Sequence, residues 1–316
     1  MRFKLSAIAL AVGLTTLSSA AISERFEAPY LYNGPGITEF YGFEKLQADA
    51  RDRQLVTDLV LMRANVVARY VYVVDAATGL PVFEKDIDRI VPIASITKLM
   101  TAIVVLDDGS DLNELITITN ADVKWLKVTR SKLNAGMTLP RGELLRLALM
   151  SSDNRAAVAL ARTSPGGVEG FVARMNAKAN QLYMSDTHYD DPTGLTPTNV
   201  STARDLVRML EAASDYDEIR EFSTTEKYRV TVGVRKTGKR RGDPIVVKYS
   251  NSNPLIHNDT WKIEMSKTGY IRDAGRCLVM RATVAAREMY IVLLNSKTKL
   301  SRVRDAITLR TKLETQ

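Results

Sequence analysis

The chain has 316 residues, 45% hydrophobic and 25% charged, which is enough apolar material for a sizeable core and excludes global disorder and a multi-pass membrane protein. A formal charge of +8 suits contact with an acidic polymer or an anionic surface, although solubility alone accounts for an excess of that size. A single cysteine, Cys277, and two histidines, His188 and His257, argue against a disulfide framework, a zinc site and histidine-based nucleophilic schemes, so no cofactor is expected.

Met1-Arg2-Phe3-Lys4, the apolar run Leu5 to Leu17 and the small residues Ser18-Ser19-Ala20-Ala21 read as a cleavable signal peptide over 1–20. The run is shorter than the roughly 20 residues that span a bilayer, so no membrane anchor is expected after cleavage. Losing Arg2 and Lys4 with it lowers the charge from +8 to +6. Residues 21–64 form a polar leader, punctuated by Asn33-Gly34-Pro35-Gly36 and ending in a helix with Leu55, Leu59 and Met62 on one face. Tyr70 to Val74 and Leu80 to Phe83, separated by Asp75-Ala76-Ala77-Thr78-Gly79, predict a β-hairpin. Ile96, Leu99, Met100, Ile103 and Val104 have helical spacing, which predicts a helix from Ser95 to Leu106 with Ser95 on its first turn. Further helices are predicted over 141–150, 154–162, 168–182 and 202–213, strands over 228–234, 244–249, 261–265, 277–284 and 289–294, and a last helix over 301–313 with Ser301 as N-cap. Strands first, helices in the middle, then strands and a terminal helix describe an α+β domain whose sheet joins both ends of the chain. Cys277, between Arg276 and Leu278, reads as a buried thiol.

Chemistry concentrates in three short motifs. Ser95-Ile96-Thr97-Lys98 puts a hydroxyl and an amine on one helical turn, close enough for the amine to take the hydroxyl proton once burial, or the like charge of Lys267, lowers its pKa. Ser152-Asp153-Asn154 lies between two helices, where Asp153 can cap the second while Ser152 relays a proton and Asn154 binds a substrate amide. Lys267-Thr268-Gly269 follows the alternating run Trp261 to Met265, at a strand edge able to pair with an extended peptide, and Gly269 permits close approach of substrate to backbone. Two of these motifs have second copies: Ser296-Lys297-Thr298-Lys299 reads as a polar turn, and Lys236-Thr237-Gly238 as the tip of a basic hairpin over 235–243. That tip lacks interleaved aromatic residues and there is no phosphate loop, so no nucleic-acid partner is expected.

The ordered motifs, with Pro92 to Ala102, Asp191-Pro192-Thr193-Gly194-Leu195 and Asn199 to Leu206, make residues 65–316 similar to the low-molecular-mass penicillin-binding proteins of the serine D-Ala-D-Ala peptidase type. Leu149-Met150-Ser151-Ser152 and Ala274 to Arg281 bring the likeness nearest to that family's soluble type-7 D-alanyl-D-alanine endopeptidase branch. The resemblance implies a DD-peptidase/β-lactamase-like fold and a periplasmic enzyme that opens D-Ala-to-diaminopimelate cross-links of peptidoglycan and binds β-lactams. It assigns Ser95 as nucleophile, Lys98 as base and Ser152 as proton relay. Asn154, Lys267, Thr268 and Gly269 become the substrate-binding set, with the backbone N–H groups of Ser95 and Tyr270 as an oxyanion hole. Lys297 is the nearest counterpart, by position, of the cation expected at the substrate carboxylate. Only 47 residues follow Gly269, so neither the extra β-rich domain nor the amphipathic anchor of the family's carboxypeptidases is expected. Asp153 stands where many members have glycine and resembles class A β-lactamases, but their deacylating glutamate, in a Glu-x-x-x-Asn segment, has no match. D-Ala-D-Ala carboxypeptidase, class A-like β-lactamase and non-catalytic murein-binding protein are the alternatives.

Overall fold

Tyr70–Asp75 (β1) and Pro81–Lys85 (β2) pair antiparallel around a turn in which Asp75 Oδ1 accepts from the backbone N–H of Ala77 and Thr78, both at 2.9 Å. The computed structural model describes residues 65–124, 131–237 and 240–315. The expected signal peptide, the expected leader helix and the centre of the basic hairpin tip lie outside them.

Short strands follow at Val91–Pro92 (β3), Leu115–Thr117 (β4), Thr138–Pro140 (β5) and Val200–Ser201 (β6). The helices are Thr97–Asp107 (α1), Asn120–Lys124 (α2), Arg141–Met150 (α3), Asn154–Arg162 (α4), Gly167–Gln181 (α5), Ala203–Ala213 (α6) and Asp217–Thr224 (α7). Lys227–Thr237 (β7) and Arg240–Ser250 (β8) form a separate two-stranded ribbon. Lys262–Ile271 (β9), Gly275–Val284 (β10), Arg287–Ser296 (β11) and Ser301–Glu314 (α8) complete the described chain.

The main sheet has the order β2-β1-β11-β10-β9 with every pair antiparallel, so the first strands lie beside the last ones, as the sequence implied. Alternation divides its side chains between two cores. Tyr72, Val74, Cys277, Val279, Val292 and Leu294 face the helices around α1; Val71, Val73, Leu278, Met280, Ile291 and Leu293 face α8. A sheet covered on both faces explains why these strands read as continuous apolar runs rather than as half-polar ones. Each fully buried Val, Leu or Ile adds about 1.5–3 kcal/mol of transfer free energy. Cys277 is buried as expected, and burial pushes its thiol up to about 11.

The structure departs from the sequence expectations at several points. α7 was not expected, because only Ile219, Phe222 and Ser223 of its polar sequence turn inward. β9 runs on past Met265 to Ile271 and so contains Lys267, Thr268, Gly269 and Tyr270, since pairing with β10 supplies backbone partners that local alternation cannot reveal. Ser301 is the first residue of α8 rather than its N-cap: Thr298 Oγ1 accepts from Ser301 N–H at 3.1 Å while Ser301 Oγ accepts from Thr298 N–H at 3.0 Å, a reciprocal cap displaced by three residues. Of the expected polar turn 296–299, Lys297 to Lys299 are exposed turn residues, whereas Ser296 itself is buried at the end of β11.

Asp305 of α8 ties the start of the described chain to the sheet. Its carboxylate, 1% exposed, accepts from the backbone N–H of Val67 and Ala68, both at 2.8 Å, and from Ser296 Oγ at 3.3 Å. Asp305→Ala strands these donors and is expected to destabilise the protein by about 2–3 kcal/mol, read as a lower urea midpoint with an unchanged slope.

Candidate active site

The serine turn is built before its helix begins. Ile93 N–H donates to Asn199 O at 3.1 Å, Ala94 takes a left-handed φ of 48°, and Ala94–Ile96 form a single 3-10 turn, so Ser95 precedes α1 instead of lying on its first turn. Thr97 Oγ1 donates to Ala94 O at 2.8 Å and closes the turn. Lys98 follows on α1 with no exposed surface, because nine of that helix's eleven residues are buried and leave no polar face for an amine to reach.

Lys98 Nζ donates to Ser95 Oγ at 3.0 Å, to Asn154 Oδ1 at 2.5 Å and to the carbonyl of Thr193 at 2.7 Å. Burial lowers its pKa to about 7, against the opposing pull of Asp191 and Asp153. A buried amine that titrates near neutrality and touches a serine hydroxyl is equipped to remove that hydroxyl's proton.

The Thr193 carbonyl is positioned by a loop around Asp191. Its Oδ1 accepts from Thr193 N–H at 2.6 Å, Thr193 Oγ1 at 2.5 Å and Gly194 N–H at 2.8 Å, and its Oδ2 from Thr196 N–H at 2.9 Å. Burial raises the Asp191 pKa, yet these hydrogen bonds prevail and hold it below the usual value. Asn199 Nδ2 joins the loop to the serine turn through the Asp191 carbonyl at 2.8 Å and Thr97 Oγ1 at 3.1 Å.

Ser152, Asp153 and Asn154 connect α3 to α4. Ser152 adopts φ 60°, unusual for a residue with a Cβ, and its Oγ accepts from Lys267 Nζ at 2.9 Å. Asp153 caps α4 through Ala156 N–H at 3.1 Å, as expected, and both its oxygens accept from Ser131 Oγ, at 2.9 and 2.8 Å. Burial raises its pKa; the bonds from Ser131 and Ala156 and the charge of Lys98 oppose the shift.

Lys267, 1% exposed, also donates to Thr268 O at 2.9 Å, and Thr268 Oγ1 donates to Ser252 Oγ at 2.7 Å. Burial, then Lys98 and Arg302, push Lys267 well below the ordinary lysine pKa. The like charge that the sequence reading drew from Lys267 onto Lys98 is thus expressed on Lys267. Gly269 packs against the serine turn: a Cβ there would lie 2.9 Å from Ile93 O and 3.2 Å from Ser95 N, so the close approach it permits is to the protein's own backbone. That contact sets Tyr270 beside Ser95.

Ser95, Lys98 and Asn154 therefore form one hydrogen-bonded set and Ser152, Lys267 and Thr268 a second, close enough for the charge of Lys98 to act on Lys267, while the Tyr270 side chain is 52% exposed. Lys297 is exposed; the basic side chain at the motif is Arg302 of α8, which donates to Gly269 O at 3.1 Å and Cys277 O at 2.9 Å and is lowered to about 10 by burial and by Arg276. Sequence reading assigned no role to Arg302, Ser131, Ser252, Asp191 or Asn199. The last two stood in segments quoted for the resemblance, which was their only signal.

A profile of the D-alanyl-D-alanine carboxypeptidase family matches residues 58–298. A D-alanyl-D-alanine endopeptidase of Pseudomonas aeruginosa is 43% identical over 77% of this chain and 76% of its own length, and one of Escherichia coli is 38% identical over the same shares. The crystal structure of a Streptomyces DD-transpeptidase superposes with a TM-score of 0.72 at 27% identity, covering 80% of this chain and 98% of that one. A buried lysine on a serine, a second serine on a second lysine, and these likenesses together place the chain in the D-alanyl-D-alanine carboxypeptidase family of serine peptidases.

Proposed function

We propose that the protein is a periplasmic DD-endopeptidase that hydrolyses D-Ala-to-diaminopimelate cross-links of peptidoglycan through an acyl-enzyme on Ser95. The observation that carries the reading is Lys98, buried, on Ser95 Oγ at 3.0 Å and with a pKa of about 7. The neutral amine takes the Ser95 proton as Oγ attacks the D-Ala carbonyl carbon. The backbone N–H groups of Ser95 and Tyr270 receive the developing oxyanion. Ser152, bonded to Lys267, returns a proton to the departing amine, and water then releases the acyl group. Asn154 binds a peptide amide; Lys267 and Thr268, with Arg302 behind their strand, provide a positive field for the substrate carboxylate.

The endopeptidase names of the relatives at 43% and 38% identity support cross-linked peptide as substrate, whereas the description of the family profile supports D-Ala-D-Ala carboxypeptidase activity as the second reading. The basic, apolar and small-residue succession of residues 1–20 supports export, and no helix among the described residues is long and apolar enough to cross a membrane. A β-lactam mimics the acyl-D-Ala unit and is expected to acylate the same serine.

Mass spectrometry after incubation with penicillin tests the reading. The wild type is expected to gain one long-lived penicilloyl group, and Ser95→Ala none. No adduct, or one that survives Ser95→Ala, refutes it; an adduct lost within seconds favours a β-lactamase. Chromatography of products from cross-linked muropeptide dimers then separates endopeptidase from carboxypeptidase, and binding of dimers without cleavage points to a murein-binding protein.

A further inference from the structure

Residues 227–250, the ribbon of β7 and β8, contain eight lysines and arginines and a single acid, Asp243, while the other 292 residues of the chain hold 36 basic and 35 acidic side chains. Nearly all of the net charge of +8 is therefore concentrated on one ribbon, whereas an excess that served solubility would be spread over the surface. Among the described residues the ribbon pairs with no further strand.

Register sorts the ribbon into two faces. Val230, Val232 and Tyr249 are buried on the inner one. On the outer one Arg229 lies opposite Lys248 and Thr231 opposite Val246, all four exposed. The register shifts by one residue in β7 between Thr231 and Val234, and by one in β8 between Pro244 and Arg241. The two shifts cancel, so the same face continues through Val234 opposite Pro244 to Lys236 opposite Arg241. Two cross-strand pairs thus set positive against positive, which by itself costs stability, and no acid occupies a paired position. Among the described residues no carboxylate pairs with Arg229 or Lys248, although Lys227 at the root is paired with Glu226 at 3.0 Å. Between these cations Val234 and Val246 are 42% and 49% exposed.

A face that combines cations lacking carboxylate partners with exposed aliphatic side chains matches a surface that is anionic outside and apolar beneath. We infer that the β7–β8 ribbon docks reversibly on a bilayer containing anionic phospholipids, with Arg229 and Lys248 against the phosphate groups and Val234 and Val246 at the acyl boundary. A cross-linked glycan–peptide polymer is acidic too, but it is hydrophilic and offers the valines no apolar surface to cover. An anionic bilayer accounts for both the charge and the valines, and relieves the repulsion between Arg229 and Lys248.

The test is cosedimentation of the protein with vesicles of phosphatidylcholine alone, with vesicles containing about one-third phosphatidylglycerol, and with isolated peptidoglycan sacculi. The wild type is expected to bind the mixed vesicles, to ignore phosphatidylcholine and to be released from the mixed vesicles by salt, readouts that need no variant to fold. Each basic residue near an anionic surface is worth about fivefold in binding, so Arg229→Gln with Lys248→Gln should weaken it roughly thirtyfold. The urea midpoint of that variant should stay level or rise, because a like-charge pair is removed. Val234→Ser with Val246→Ser should weaken binding about tenfold at constant charge. Binding confined to sacculi, equal binding to both kinds of vesicle, or mixed-vesicle binding that survives both double substitutions overturns the inference. Vesicle binding needs no turnover, so an inactive protein that binds refutes the peptidase reading alone, and an active one that stays in solution refutes this inference alone.

Discussion

Lys98→Arg is expected to lower kcat/KM on a cross-linked muropeptide dimer by about 10³-fold while the protein stays folded, because proton transfer by a positioned side chain contributes on the order of 10²–10⁴. Arginine keeps the positive charge beside Asn154 and Thr193 but does not release its proton at any working pH. If charge near Ser95 were the whole role of this residue, the substitution would be mild; a loss below about tenfold would exclude Lys98 as the base. The pH profile gives an independent readout. With the lysine at about 7, the fraction of free amine rises with pH through neutrality, so wild-type kcat/KM should climb from pH 5.5 and level off above about pH 8. A profile flat across that window would contradict the assignment.

The same shift works against folding. The unfolded chain holds the lysine proton to about pH 10 and the native one releases it near 7, so the unfolded state binds more protons between those limits and stability rises with pH across them. Burial that makes the amine useful is thus destabilising at neutral pH, and the fixed acceptors on Ser95, Asn154 and Thr193 offset part of that penalty.

The second large effect is expected at Gly194, which touches no substrate in the proposed reaction. A Cβ there would lie 1.9 Å from the Ala94 carbonyl oxygen and 2.7 Å from Thr97 Oγ1, at a φ of +77°. Gly194→Ala must push the loop off the serine turn, at a cost of about 3 kcal/mol or more when steric overlap and left-handed strain are combined. The displaced loop takes the Thr193 carbonyl from Lys98, so penicillin acylation should fall along with the urea midpoint. Gly79→Ala is the control, since φ is +68° but nothing lies within 4 Å of the added carbon, and only about 1–2 kcal/mol of backbone strain is expected. Equal losses at the two sites would remove the argument for steric contact at the serine turn.

How far these contacts were legible follows from the distance along the chain over which each cause acts. α3 and α4 fall on the residues the apolar spacing indicated, and the Asp153 cap is visible because an N-cap bonds only three residues ahead. Ser95 and Lys98 could be paired for the same reason. Spacing left two Lys-Thr-Gly copies open, however, and preferred Lys267 only through the run preceding it. Pairing of β9 with β10 is what makes Lys267 to Tyr270 part of an edge strand.

The sequence by itself determined most of the helical and extended segments, the sheet shared by the two chain ends and the pairing of Ser95 with its neighbouring lysine, because periodicity, capping and i, i+3 geometry operate within a turn or two of backbone. Only the tertiary structure decided the state of that lysine. Its acceptors on Asn154 and Thr193 come from 56 and 95 residues away, Ser152 meets Lys267 across 115, and Gly194 and Gly269 matter because distant backbone packs against them. Burial is a property of what surrounds a side chain after folding, so the depressed lysine emerges when the layers come together.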